Sequence, residues 1–317
     1  CRSVDAMKAV SMIALLGIMF DVIAPIFRVV GAGVIIGRRF RPDRRAISSL
    51  LIYLFIPALA FDGIAHTDLR GDEIIGIAGV ATGIAFLMAI IGLALTRLLR
   101  FDRRLESAFL ISVIMMNAAN YGIPLNRFAF GEPGAQRAII YYVMSVVLGA
   151  VLGIFFASRG TASVRVALGN VLRVPITYAA VLGLVANVTD VSLPLPLARA
   201  VGIMAEGAVP GMLILLGLQL ARTSPAVIRG RWGPILLACG LRLVAGPLLA
   251  FPLAGGLGLT GVTFQVAVVE SSMPTAVMAN ALATEFGSDA EFTSAVTLIS
   301  TLLSVITLSV LLAALKA

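Results

Sequence analysis

Residues 117–124 read NAANYGIP: two carboxamides, a glycine and a proline between LISVIMM (110–116) and LNRFAF (125–130). Whether this stretch interrupts a membrane-spanning helix or caps a soluble one decides the fold. The rest of the chain answers. Of 317 residues 60% are hydrophobic and only 13% are charged, where a soluble domain carries roughly 25% charge. The mean hydropathy is +1.04. Apolar runs of about 20 residues, enough to cross ~30 Å of hydrocarbon, recur along the whole length. The period-2 alternation of an outer-membrane barrel is absent. The sequence therefore predicts an all-α integral membrane protein. Its ten transmembrane segments fall near 17–37, 46–65, 74–99, 106–130, 136–157, 173–190, 197–221, 233–253, 259–284 and 292–315.

The formal charge of +8 does not make this a nucleic-acid binder, because the basic residues lie between apolar segments and not on one face. Taken alternately, the connectors separate them. One set carries Arg38, Arg39, Arg41, Arg44 and Arg45, then Arg97, Arg100, Arg103 and Arg104, then Arg159, Arg165 and Arg173, then Arg222, Arg229 and Arg231. The other holds only Arg70, Arg127, Arg137 and Arg199. Basic residues in short loops favour the cytoplasmic side, so the first set is expected inside and, with an even number of spans, both termini outside. Cys1 and Cys239 form neither a CxxC nor a metal-ligand spacing, and no metal or cofactor is expected. Residues 1–18 are set apart as an N-terminal segment, with Met19 as an alternative start.

The two halves resemble each other. PIFRVVGAG (25–33) matches PITYAAVLG (175–183) in its Pro, Ile and final Gly, and Pro57 and Pro124 have counterparts in Pro210 and Pro274. The proline intervals are 32 then 67 residues in one half, and 35 then 64 in the other. Five spans per half is an odd number, so a duplicated unit inserts with opposite orientation. That is the inverted repeat common among secondary transporters. The expected organisation is a first five-helix repeat at 19–157, a short cytoplasmic connector at 158–172 and a second repeat at 173–317.

The polar residues then gain a meaning. Asn117 and Asn120 precede Gly122 and Pro124 in the fourth segment. Glu270, Ser271 and Ser272 precede Pro274 in the ninth, with Asn280 beyond. Proline removes a backbone donor and clashes with the preceding turn, so both helices are expected to break at these points. Stranded amides and carbonyls are tolerated in hydrocarbon only where protein, water or a ligand satisfies them. Two such breaks would present helix N-termini, which suit an anion such as a carboxylate. A carboxyl at membrane mid-depth is costly unless paired, protonated or bound to a cation, which makes Glu270 the candidate coupling group and Glu206 a second. Arg242, within the eighth segment, could neutralise a substrate carboxylate or be structural. Arg28 is read as an interhelical partner for an acid such as Asp62. His66, the one histidine, reads as a solvated loop residue, Gln219 and Asn187 as hydrogen-bonding glue between helices, and Trp232 as an interfacial anchor.

NAANYGIPL (117–125) resembles the proline-broken fourth helix of the auxin efflux carrier family, and ESSMPTAVMANALATEFG (270–287) resembles its ninth. MFDVIAPIFRVVGAGVIIGRRF (19–40) and LIYLFIPALAF (51–61) are similar to its first two spans. The resemblance implies broken helices 4 and 9 crossing at the midplane, a scaffold panel of helices 1, 2, 6 and 7, and a moving core of helices 3–5 and 8–10. It implies a bacterial inner-membrane permease for malate, malonate or a similar carboxylate, with a homodimer through the panel. The plant relatives' long central loop is reduced here to the connector, which removes loop-based phosphoregulation.

The expected function is thus secondary transport of a small organic anion by alternating access, coupled to protons through Glu270. The substrate would lie among Asn117, Asn120, Gly122, Pro124, Ser271, Ser272, Pro274, Asn280 and Arg242. A sodium-coupled symporter of the bile acid type is the alternative within that class, and an uncoupled anion channel the alternative outside it. An intramembrane enzyme would need a nucleophile–base pair or metal cluster, and the sequence has no HExxH, no GxSxG and no histidine within a span.

Overall fold

The computed structural model describes residues 17–157, 175–221 and 231–316. Within them the chain is helical, with no strand and one isolated bridge between Met116 and Thr275. The helices are α1 (Met19–Arg39), α2 (Arg44–Ala65), α3 (Gly71–Leu98), α4 (Arg103–Ile114), α5 (Ala118–Gly153), α6 (Pro175–Thr189), α7 (Leu195–Leu220), α8 (Trp232–Gly256), α9 (Gly261–Ser271), α10 (Val277–Glu285) and α11 (Ala290–Lys316). Seven of them, α1, α2, α3, α5, α7, α8 and α11, are long and apolar enough to cross a membrane. The expected N-terminal segment up to residue 16, the connector at 158–172, and Arg159, Arg165, Arg173, Arg222 and Arg229 lie outside the described residues.

Local chemistry sets the helix ends. Asp43 Oδ1 accepts from the Arg45 amide at 2.9 Å, and Asp102 Oδ1 accepts from the amides of Arg104 and Leu105. Each aspartate caps the orphan donors of the helix that follows. Gly131, at φ 71°, interrupts α5 between its two halves; glycine is the residue that reaches this backbone region without a Cβ penalty.

Proline shapes the helices in a way that spacing alone did not reveal. Five π-helical turns occur among the described residues, at Met19–Ile23, Leu51–Phe55, Ala118–Gly122, Gly149–Gly153 and Leu241–Ala245. In four of them a proline stands two residues beyond the turn: Pro25, Pro57, Pro124 and Pro247. A proline ring collides with the carbonyl four residues back, and the missing amide leaves that carbonyl without its helical donor. Widening the turn moves the carbonyl aside and lets the helix continue through the proline.

The helices sort into two groups. α7 packs along α1 and α2, and α6 along α2. The contacts are close because of glycine: a Cβ on Gly33 would stand 2.5 Å from the Ile214 carbonyl oxygen, and one on Gly183 2.9 Å from that of Phe61. In the second group α3 packs on α4, α5 and α8, α9 on α5 and α8, and α11 on α4 and α10.

Candidate functional site

The two groups meet where α4 and α9 stop. α4 ends at Ile114, and α5 begins at Ala118 after three irregular residues. α9 ends at Ser271, and α10 begins at Val277. The intervening segments run antiparallel and pair: Asn117 N donates to Pro274 O at 2.8 Å, and Ala276 N to Met115 O at 2.9 Å. Thr275 Oγ1 adds a bond to Ser112 O at 2.8 Å. Backbone that would be orphaned by breaking either helix is thus satisfied by the other, the condition for irregular chain at membrane depth.

The first interruption lies at Met115–Asn117, not at Pro124 as expected. Pro124 sits inside α5, where a π turn accommodates it. Matching Ile114 with Ser271 and Ala118 with Val277 leaves Pro124 without Pro274 as its counterpart, so the proline pairing read from the sequence is displaced at this point.

Arg242, on α8, holds the broken ends from behind. Its side chain is fully buried and every hydrogen bond it makes goes to backbone carbonyls. Nε and Nη2 donate to Met273 O at 3.2 and 3.0 Å, Nη2 to Ser271 O at 3.0 Å, and Nη1 to Val113 O at 3.1 Å. These are the carbonyl ends of α4 and α9, where helix dipoles place partial negative charge. The guanidinium's fixed fork of donors matches several acceptors at once. Arg242 is committed to the backbone and does not line the cavity described below.

Glu270, in the last turn of α9, is completely buried. Asn126 Nδ2 donates to its Oε1 at 2.8 Å and to Gly122 O at 3.0 Å, while Glu270 Oε2 and Asn126 Oδ1 have no partner. The carboxyl rests against Gly122, where a Cβ would come within 2.7 Å of Glu270 Cδ. Gly122 is therefore the space the carboxyl occupies. Among the described residues Glu270 has no ion-pair partner.

A cavity of about 370 Å³ opens beside the paired segments. Ser48, Leu51, Ile52 and Ile56 of α2 wall it toward the Arg44 end, Leu215 and Gln219 come from α7, and Ser145 and Tyr142 from α5. Asn117, Asn120 and the start of α10 form its inner end. No charged side chain lines it among the described residues. The N-terminal turns of α5 and α10 open onto it without a side-chain cap. At the other end of α2, beside the Gly131 kink in the middle of α5, the groups are closed on each other: Thr67 Oγ1 donates to Gln136 Oε1 at 3.2 Å, Gln136 Nε2 donates to His66 O at 3.4 Å, and a Cβ on Gly63 would stand 2.8 Å from Ile139 Cδ1.

Of the residues expected at the site, Asn117 and Asn120 line the cavity. Gly122 and Glu270 face each other beside it, and Pro274 belongs to the paired backbone. Ser271 bonds Tyr141 and Ala267 O, Ser272 bonds Val268 O, and Asn280 bonds Ser294 and Ala290 O. Glu206 is exposed on the outer face of α7, away from the cavity. Sequence reading missed Asn126, whose only signal is its spacing four residues after Gly122, and the cavity-facing Gln219.

A broken, paired backbone thus lies beside a mostly apolar cavity between two helix groups. A family model described as membrane transport protein matches residues 20–312. The chain belongs to that family, the auxin efflux carrier family. Among relatives, an uncharacterized transporter of Methanothermobacter thermautotrophicus is 28% identical over 268 residues, 84% of this chain and 87% of the relative. A putative malonate transporter of Rhizobium meliloti is 29% identical over 278 residues, 84% and 85% of the two chains. A probable auxin efflux carrier component 5b of Oryza sativa is 32% identical over 139 residues, 43% of this chain and 38% of that one. The chain is a membrane transporter of this family.

Proposed function

We propose that the protein is a secondary transporter of a small organic anion, a carboxylate, that works by alternating access and is coupled to protons. The observation that carries the reading is the cavity at the paired helix breaks: it presents the uncapped starts of α5 and α10 together with Asn117 and Asn120. Amide donors and the positive ends of two helix dipoles stabilise an anion without a cationic side chain. The name of the Rhizobium relative supports a carboxylate.

Ten membrane segments in two inverted sets of five organise the molecule: α4 with the part of α5 before Gly131 is the broken fourth, the rest of α5 the fifth, and α9–α10 the broken ninth. The helix group of α1, α2, α6 and α7 is the fixed panel and the other group the moving core. The cavity lies toward the arginine-rich, inner ends of the spans, and the Thr67–Gln136 contact closes the outer side. The protein resides in the bacterial inner membrane with both termini outside. It pairs as a homodimer through the panel, where Arg28 of α1 and Glu206 of α7 stand exposed at mid-span; lipid-facing charges at that depth are unfavourable unless partnered.

Glu270 carries the coupling proton. A buried carboxyl with one hydrogen bond and a free Oε2 is stable when a cation neutralises it, and the proton is the smallest. Two buried oxygens without partners, Glu270 Oε2 and Asn126 Oδ1, also favour sodium as a second reading. Uptake at fixed pH, with and without sodium, separates the two.

The reading is tested by thermal denaturation of the purified protein against a carboxylate series across pH. A carboxylate should raise the melting temperature of the wild type, and Asn120→Leu should abolish the rise. The reading fails if no carboxylate stabilises the wild type, or if Asn120→Leu responds equally.

A further inference from the structure

α5 turns back at Gly131, and its two arms lie side by side against the end of α9. Asn126, on the first arm, bonds Glu270, and Tyr141, on the second, bonds Ser271. Asn120 stands eleven residues before Gly131 and Tyr142 eleven after it, so the arms bring these two side chains to a similar depth. Both line the cavity.

The adjacent tyrosines of the second arm are used differently. Tyr141 is fully buried, and its hydroxyl lies 2.9 Å from Ser271 Oγ. Successive residues point about 100° apart around a helix, and Tyr142 turns from α9 toward the cavity. Tyr142 is half-buried, and its hydroxyl bonds none of the described residues. That oxygen is not sealed inside the protein, as the unpaired Asn117 Nδ2 and Gln219 Oε1 are. The Asn120 carboxamide is in the same condition as the Tyr142 hydroxyl, unbonded and not sealed.

A tyrosine hydroxyl inside a protein usually has a partner. A phenylalanine would fill the same wall beside Val146 and Leu148 without a hydroxyl to satisfy. The hydroxyl is explained by something that enters the cavity. A phenol O–H is an uncharged donor, and an ionised carboxylate only accepts. Hydrogen bonds to an ionised acceptor are roughly twice as strong as those between neutral groups. A phenol serves a monocarboxylate or either end of a dicarboxylate.

We propose that Tyr142 is a substrate-binding residue. Its hydroxyl donates a hydrogen bond to a carboxylate oxygen of the substrate in the cavity that Asn120 also lines, while Tyr141 beside it is structural. The inference rests on the transport reading above and adds a residue to that site.

The test sets the two tyrosines against each other in the purified full chain at neutral pH. Acetate, propionate, malonate and succinate are the probes, followed by calorimetric binding and by thermal denaturation. Tyr142→Phe keeps the ring and removes only the hydroxyl. Without a probe its melting temperature should match or exceed that of the wild type, because no bond within the protein is lost. The best-bound probe should bind it about tenfold more weakly, the size of one charge-assisted hydrogen bond. Tyr141→Phe should do the opposite, melting lower without a probe and binding as the wild type does. The proposal is overturned if Tyr142→Phe binds every probe as tightly as the wild type, or if Tyr141→Phe weakens binding as much. It is also overturned if Tyr142→Phe fails to fold or melts as low as Tyr141→Phe, which would make its hydroxyl structural, or if no probe binds the wild type. Uptake of the best-bound probe into proteoliposomes keeps the two claims apart. Uptake with an affinity indifferent to Tyr142 would sink this proposal alone, while a Tyr142-dependent affinity without uptake would sink the transport reading alone.

Discussion

Gly122 lacks a side chain where the carboxyl of Glu270 needs room. Both residues were visible in the sequence as polar or small breaks in apolar runs, yet their contact joins positions 148 residues apart, and only folding reveals it. Gly122→Ala forces a methyl group into the carboxyl and should cost about 1–3 kcal/mol of stability, as overpacking does. Thermal unfolding in detergent measures it, and an unchanged melting temperature would mean the carboxyl is free to move away. Arg242 shows the same limit differently. A lone arginine in an apolar span announces a buried charge, and a substrate carboxylate is one natural partner. The helix ends supply others, because each interrupted helix leaves carbonyls that need donors. Which partner wins depends on where the ends fall in space. Gln219 was legible as a polar residue inside a span but not as a cavity residue, since a sequence gives spacing along a helix and not what the helix faces.

At the scale of elements, an all-helical chain with several membrane-length apolar helices, seven among the described residues, was readable because about 20 apolar residues between charged connectors leave few other structures. The interruption of the fourth segment was readable too, but its position was not. Proline marks where a helix loses a donor, and here π turns absorb that loss at Pro25, Pro57, Pro124 and Pro247. The true interruption at Met115–Asn117 contains no proline and exists because the segment pairs with 274–276 of the second half. Small residues decide the panel's packing in a way the sequence shows only as glycine frequency. α1 and α7 approach so closely at Gly33 and Gly217 that either Cβ would strike the partner's backbone. Gly33→Leu should therefore separate the two helices and lower the melting temperature, with little effect from Gly31→Leu, where a Cβ meets nothing within 4 Å. Equal effects of the two substitutions would contradict the close packing.

For the whole molecule, alternating access needs two bodies that are closed on one side and open on the other. The Thr67–Gln136 and Gly63–Ile139 contacts close one side, and the cavity opens the other. Loop arginines carry the expected orientation of the spans, while the grouping of helices came from the resemblance and from packing, not from composition. Outside the cavity, Arg28 and Glu206 on the panel suit a two-fold interface in which each copy's arginine meets the other's glutamate. Arg28→Glu alone should weaken a dimer seen by native mass spectrometry, and combining it with Glu206→Arg should restore it. A dimer indifferent to both would place the interface elsewhere.

The central claim is that a carboxylate bound at the crossing moves with a proton held by Glu270. It is tested by uptake of a radiolabelled carboxylate, chosen from the thermal screen, into proteoliposomes under an imposed pH gradient. The wild type should concentrate the substrate when the gradient is present and only equilibrate it when the gradient is collapsed. Glu270→Gln, which keeps shape but cannot exchange a proton, should lose the gradient-driven component. Wild-type accumulation by Glu270→Gln, rising and falling with the gradient as before, would contradict it.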